Sequence, residues 1–132
     1  MASNGDVVVE VGVGQDDAVT FRELQYALGS GIKARAIEFN NGYIPQDFRS
    51  EIANDNILAL QPGGKAVEFI KTAKVVRICN LVGDYFRRPD RERLLHTLSV
   101  HMREGSYLII ANTSMDWDEE GCLYQKLNGE LE

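Results

Sequence analysis

Short β-branched runs alternate along this chain with stretches of helical periodicity. Residues 6–11, Asp6-Val7-Val8-Val9-Glu10-Val11, are dominated by side chains that are stiff at χ1 and pack well on a pleated surface, so they read as a buried strand. The run enters Gly12-Val13-Gly14, where glycine permits a sharp turn and a close backbone approach. Asp16 or Asp17 can then accept hydrogen bonds from the first free N–H groups of a helix. Residues 20–28 have that helix's pattern, with Phe21, Leu24 and Leu28 on one face, and Gly29-Ser30-Gly31 ends it. Residues 32–39 form a second strand finishing on Glu38, followed by the turn Asn40-Asn41-Gly42.

Pro45 suits the first turn of a further helix that would bury Phe48 and Ile52. Asn54-Asp55-Asn56 interrupts, and residues 57–60 read as a short third strand. Residues 65–73 fit a helix with Val67 and Ile70 inward, and residues 75–82 a fourth strand. Pro89-Asp90 announces the clearest helix, striped by Leu94, Leu95, Leu98 and Met102 and stopped by Gly105. Residues 106–111 are the fifth strand. An acidic loop over 115–121 leads to residues 122–127, the turn Asn128-Gly129 and a short returning strand at 130–132. This order predicts an α/β fold: a doubly wound, mostly parallel, Rossmann-like sheet with helices on both faces and a C-terminal antiparallel hairpin.

Composition narrows the function classes. The chain has 132 residues, which suits a single domain spanning residues 1–132, and 44% hydrophobic with 26% charged residues is ordinary for a soluble protein. A net charge of −6 argues against nucleic acid as the main partner, because a phosphate-binding surface needs clustered Lys and Arg. The basic patch Arg87, Arg88, Arg91, Arg93 is interrupted by Asp90 and Glu92 and reads as a solvated helix start. No apolar run approaches the ~20 residues of a membrane span, and residues 1–5 carry no signal-peptide pattern, so a cytoplasmic location is expected. Cys79 and Cys122 read as reduced thiols, and neither they nor His96 and His101 have the spacing of metal ligands, so no metal is expected.

The motifs resemble a class I S-adenosylmethionine-dependent methyltransferase core over roughly residues 6 to 127. Glu10-Val11-Gly12-Val13-Gly14 is similar to the family's acidic-x-Gly-x-Gly motif after the first strand. Glu38 stands where the family places the carboxylate that binds both ribose hydroxyls. Asn54-Asp55-Asn56 resembles the segment that holds the adenine. Ile78-Cys79-Asn80-Leu81 through Tyr85-Phe86 and the helix and strand beyond resemble the family's fourth strand, fifth helix and fifth strand, with some similarity to chemotaxis-receptor methyltransferases.

The resemblance implies S-adenosylmethionine as cofactor, bound by Glu10, Gly12, Gly14, Glu38, Asp55 and Asn80, with Glu10 organising the loop near the methionine amino group. It implies methyl transfer to a small molecule or a protein side chain. Such transfer is mainly alignment of a nucleophile with an already activated methyl group, so no catalytic residue is assigned; Asp84 and Tyr85 lie nearest the expected methyl position. Gln15 and Asp16 depart from the family's small residue after the second glycine, and no Asn-Pro-Pro-Tyr motif follows the fourth strand. With no substrate cap, the chain reads as a piece of a longer protein or as a minimal relative. The alternative is a non-catalytic, degenerate member of the fold, used for cofactor sensing or protein interaction; a homo-oligomer is compatible with either. A nicotinamide enzyme is disfavoured because Asp17 stands at the last glycine of Gly-x-Gly-x-x-Gly, and Gly-Lys-Ser/Thr of a P-loop is absent.

Overall fold

The computed structural model describes residues 3–14, 17–79, 88–111 and 121–132. In chain order it contains β1 (Val7–Val11), α1 (Val19–Leu28), β2 (Lys33–Glu38), two 3-10 turns (Asn41–Tyr43 and Gln46–Phe48), β3 (Ile52–Asn54), α2 (Lys65–Thr72), β4 (Ala73–Cys79), α3 (Arg88–His101), β5 (Tyr107–Ala111), β6 (Gly121–Leu127) and β7 (Glu130–Leu131). The strands form one sheet in the order β3-β2-β1-β4-β5-β6-β7. β1 to β5 pair in parallel, and β6 and β7 add on antiparallel. This is the Rossmann-like, doubly wound α/β sheet with a C-terminal hairpin that the periodicity predicts. The hairpin turns at Asn128-Gly129, both at positive φ (54° and 83°), as a tight two-residue turn requires.

Alternation along the strands divides the core into two layers. Val9, Val11, Ile37, Val76 and Ile110 face α2 and α3, where Ile70, Leu94, Leu98 and Met102 close over them. Val8, Ala34, Ala36, Ile52 and Val75 face α1 and meet its Phe21 and Leu24. Side chains two apart in a strand share a face, so Glu10 lies with Val8, Glu38 with Ala36 and Arg77 with Val75, all on the α1 side.

Three local expectations are corrected. The third strand is Ile52–Asn54, not residues 57–60, and Asn54-Asp55-Asn56 ends it rather than preceding it. Ile52 and Ala53 have a partner in β2, opposite Ala36 and Ile37. Farther on, the Asn56 side chain accepts from the Leu58 N–H (3.0 Å) and Ala59 N–H bonds back to Asn56 (2.9 Å), which curls the backbone out of ladder geometry. The helix expected after Pro45 shrinks to the 3-10 turn Gln46–Phe48. Phe48 is instead anchored edge-on to Phe21 at 5.3 Å between ring centroids, while Arg22 lies over its ring at 4.5 Å. Finally, no acidic side chain among the described residues caps α1. The cap is Ala18, left-handed at φ 55°, and Asp17 turns outward to Arg22 (3.2 Å). A first-turn N–H, that of Phe21, is satisfied by the Val13 carbonyl at 3.2 Å, so the loop itself does the capping. Asp16 lies outside the described residues.

Candidate functional site

In a doubly wound sheet, ligands bind outside the carboxyl ends of the strands where the chain order reverses. Here that point is the seam between β1 and β4: after β1 the chain adds β2 and β3 on one side, then returns to add β4 and β5 on the other. The glycine turn rises from the carboxyl end of β1 at this seam. Gly12 and Gly14 both take φ 88°, a left-handed conformation that disfavours any side chain. Gly14 has a second constraint, because a Cβ there would fall 2.9 Å from the Thr20 hydroxyl and 3.0 Å from its backbone nitrogen. The turn therefore packs directly on the first turn of α1.

Glu38, at the carboxyl end of β2, organises this turn. Its Oε1 accepts the Val13 N–H at 3.1 Å and its Oε2 accepts the Asn40 N–H at 2.8 Å, while Gly12 N–H bonds to the Ile37 carbonyl at 2.8 Å. The side chain is largely buried, and each oxygen keeps a further lone pair. The β3 end is tied to the same place: Asn54 Nδ2 donates to the carbonyls of Glu38 and Phe39, both at 2.9 Å, and Asp55 N–H donates to the Glu38 carbonyl at 3.1 Å. Asp55 itself accepts from Asn56 N–H (2.8 Å) and Gln61 N–H (3.1 Å), holding the turn after β3. A cavity of about 330 Å³ is lined by β3, by Asp55 after it and by Lys65 at the start of α2.

Glu10 lies two residues before Gly12, opposite Ala36 and Arg77. It is fully buried, and burial pushes its carboxyl up to about 8 against the opposing pull of Arg77. Arg77 Nη1 stands 3.4 Å from Oε2, within ion-pair range but not aligned as a hydrogen bond, and among the described residues neither oxygen of Glu10 has a hydrogen-bond partner.

Five of the six residues expected to contact a cofactor thus fall at or just beyond the carboxyl ends of three adjacent strands. Gly12, Gly14, Glu38 and Asp55 line up across the sheet edge, and Glu10 sits beneath them. Asn80, Asp84 and Tyr85 lie outside the described residues, as do Gln15 and the acidic loop with Trp117. Two residues matter here in roles the sequence did not suggest, Asn54 although it belongs to the Asn54-Asp55-Asn56 segment. Asn54 staples β2 to β3, and Phe39, directly after Glu38, leaves 73% of its surface exposed. An unpaired aromatic adjoining a candidate carboxylate was the available signal for Phe39, hidden by reading it as the last strand residue.

No protein-family model and no curated protein matches the chain. Solved structures do share its fold. A 16S rRNA (adenine(1408)-N(1))-methyltransferase from Catenulisporales acidiphilia superposes with a TM-score of 0.64 at 16% identity, over 89% of this chain and 57% of that one. The glycopeptide N-methyltransferase MtfA, complexed with sinefungin, gives a TM-score of 0.55 at 17% identity, over 81% and 46%. A Haemonchus contortus phosphoethanolamine N-methyltransferase 2, in complex with S-adenosyl-L-methionine, gives 0.56 at 10% identity, over 85% and 25%. The chain spans less than two thirds of the length of each of these structures. Its fold is that of the class I S-adenosylmethionine-dependent methyltransferases. Because rRNA and small-molecule methyltransferases both occur among these structures, the fold does not separate nucleic-acid acceptors from others. Among the described residues no helix is long and apolar enough to cross a membrane.

Proposed function

We propose that this chain binds S-adenosylmethionine at the β1–β4 seam and transfers its methyl group to a small molecule or a protein side chain. One observation carries the reading: Gly12, Gly14, Glu38 and Asp55, expected to serve one nucleoside ligand, stand side by side at the carboxyl ends of β1, β2 and β3. The turn at Gly12–Gly14 would cradle the methionine and ribose. The free lone pairs of Glu38 would accept the two ribose hydroxyls, with Asp55 and the backbone beyond it facing the adenine. Exposed Phe39 offers a ring on which the base can stack. Net charge favours a non-nucleic-acid acceptor over the rRNA acceptor of one structure that shares the fold.

Calorimetric titration with S-adenosylhomocysteine and with NAD tests the cofactor. Binding of the first and not the second is expected; absence of binding by S-adenosylhomocysteine at millimolar concentration would reject the reading. Glu38→Ala should weaken that binding at least ~10-fold, since hydrogen bonds to a charged group are worth roughly 1.5–3 kcal/mol.

A second reading, a non-catalytic member of the fold, draws on the occupied acceptors. Both oxygens of Glu38 and both of Asp55 hold backbone N–H groups, so these carboxylates would also serve a purely structural role. Release of labelled methyl from S-adenosylmethionine to any acceptor in a panel of amines, thiols and peptides decides for the enzyme.

A further inference from the structure

Glu10 is a fully buried carboxyl whose two oxygens have no hydrogen-bond partner among the described residues, set just below the turn assigned to the cofactor. A buried polar group without hydrogen bonds is costly, and natural cores rarely keep one without a use. Among the described residues little could compensate it. On β2 Ala36 stands opposite, and Glu38, two residues nearer the strand end, is committed to Val13 and Asn40. α1 brings the apolar Phe21 and Leu24 to this face. From β5, Tyr107 lies farther along, with Lys74 over its ring at 5.6 Å. On β4 Arg77 is the cation set against Glu10, at 3.4 Å, and its side chain is 35% exposed while that of Glu10 is wholly buried, so the guanidinium alone of the pair touches solvent.

We propose that cofactor binding at the glycine turn drives a proton off Glu10, and that Arg77 is the positioning residue that sets the pH at which this happens. The proposal rests on the cofactor reading above. A positively charged ammonium, and in S-adenosylmethionine a sulfonium, placed above Glu10 favours its carboxylate over its acid form. The Glu10 O–H bond then breaks and the proton passes to solvent past the exposed end of Arg77. Ligand affinity rises with pH while the empty site is protonated and the filled site is not. The carboxyl's upward displacement to about 8 puts this window around neutrality.

The test is S-adenosylhomocysteine titrated into the whole chain between pH 6.5 and 8.5, in buffers of differing ionisation enthalpy. Affinity should rise roughly tenfold across that range, since each pH unit of linkage is worth up to a factor of ten, with close to one proton released near pH 7. Glu10→Gln should flatten the profile and abolish proton release. Arg77→Met should move the rise to higher pH, which a merely structural arginine would not do. If Arg77→Met does not fold, the wild-type and Glu10→Gln profiles still decide. Binding that is independent of pH, with no proton released, overturns the coupling and leaves the cofactor reading intact. Absence of binding at every pH overturns both.

Discussion

A methyl group on Gly14 would stand 2.9 Å from the Thr20 hydroxyl and 3.0 Å from its backbone nitrogen, at a φ of 88°. One contact is with backbone, which cannot swing aside, and the conformation is strained for any L side chain. Gly14→Ala is therefore expected to destabilise the fold by roughly 1–3 kcal/mol, read as a lower midpoint in urea with an unchanged slope. Glu10 makes a different prediction, in the pH dependence of stability. Its carboxyl rises from the ordinary 4.5 to about 8 on folding, so between those values the folded chain holds a proton that the unfolded chain has lost. The associated stability is fully present below about 4.5 and is lost as pH climbs to about 8. Thermal melts of wild type and Glu10→Gln should thus diverge with pH, the variant gaining on the wild type from pH 5 to 8.5. Parallel curves would mean that Glu10 titrates as an ordinary carboxylate.

Among the elements, the C-terminal hairpin is joined to α3 by one buried charge. Lys126 of β6 is 9% exposed and its Nζ donates to the Met102 carbonyl at 2.6 Å, at the end of α3, where unsatisfied carbonyls and the helix dipole both favour a cation. Lys126→Met keeps most of the apolar stem and removes the donor, and should cost about 1.5–3 kcal/mol, measured by chemical denaturation. Periodicity alone would have placed Lys126 in solvent as an ordinary hairpin lysine. The third strand was misread for a related reason. Ile52-Ala53-Asn54 is too short to show alternation, and its identity as a strand comes from Ala36 and Ile37 lying ready beside it.

At the scale of the whole molecule, β1 and β4 share both core layers, since their side chains alternate between α1 and the α2–α3 pair. A defect on one face is felt through the shared strands. Leu98 of α3 is fully buried against the sheet, and Leu98→Ala should cost roughly 2–5 kcal/mol while unfolding remains a single transition by circular dichroism and by fluorescence. Two separated transitions would show that the layers are independent.

Much of this architecture was legible in the residues themselves. Val7–Val11, the Gly12 and Gly14 pair, the Leu94–Leu98–Met102 stripe and Asn128-Gly129 each act through local sterics or periodicity, which travel with the sequence. Glu38 at a strand end and Asp55 after Asn54 could be proposed for one site from motif order. Their alignment beside the glycine turn was decided only by parallel pairing of β1, β2 and β3, a non-local event. The same holds for Glu38 bonding Val13, for Lys126 reaching Met102 and for Glu10 meeting Arg77. Each joins residues far apart in the chain, where local preference carries no information and only the register of the folded sheet sets the distance.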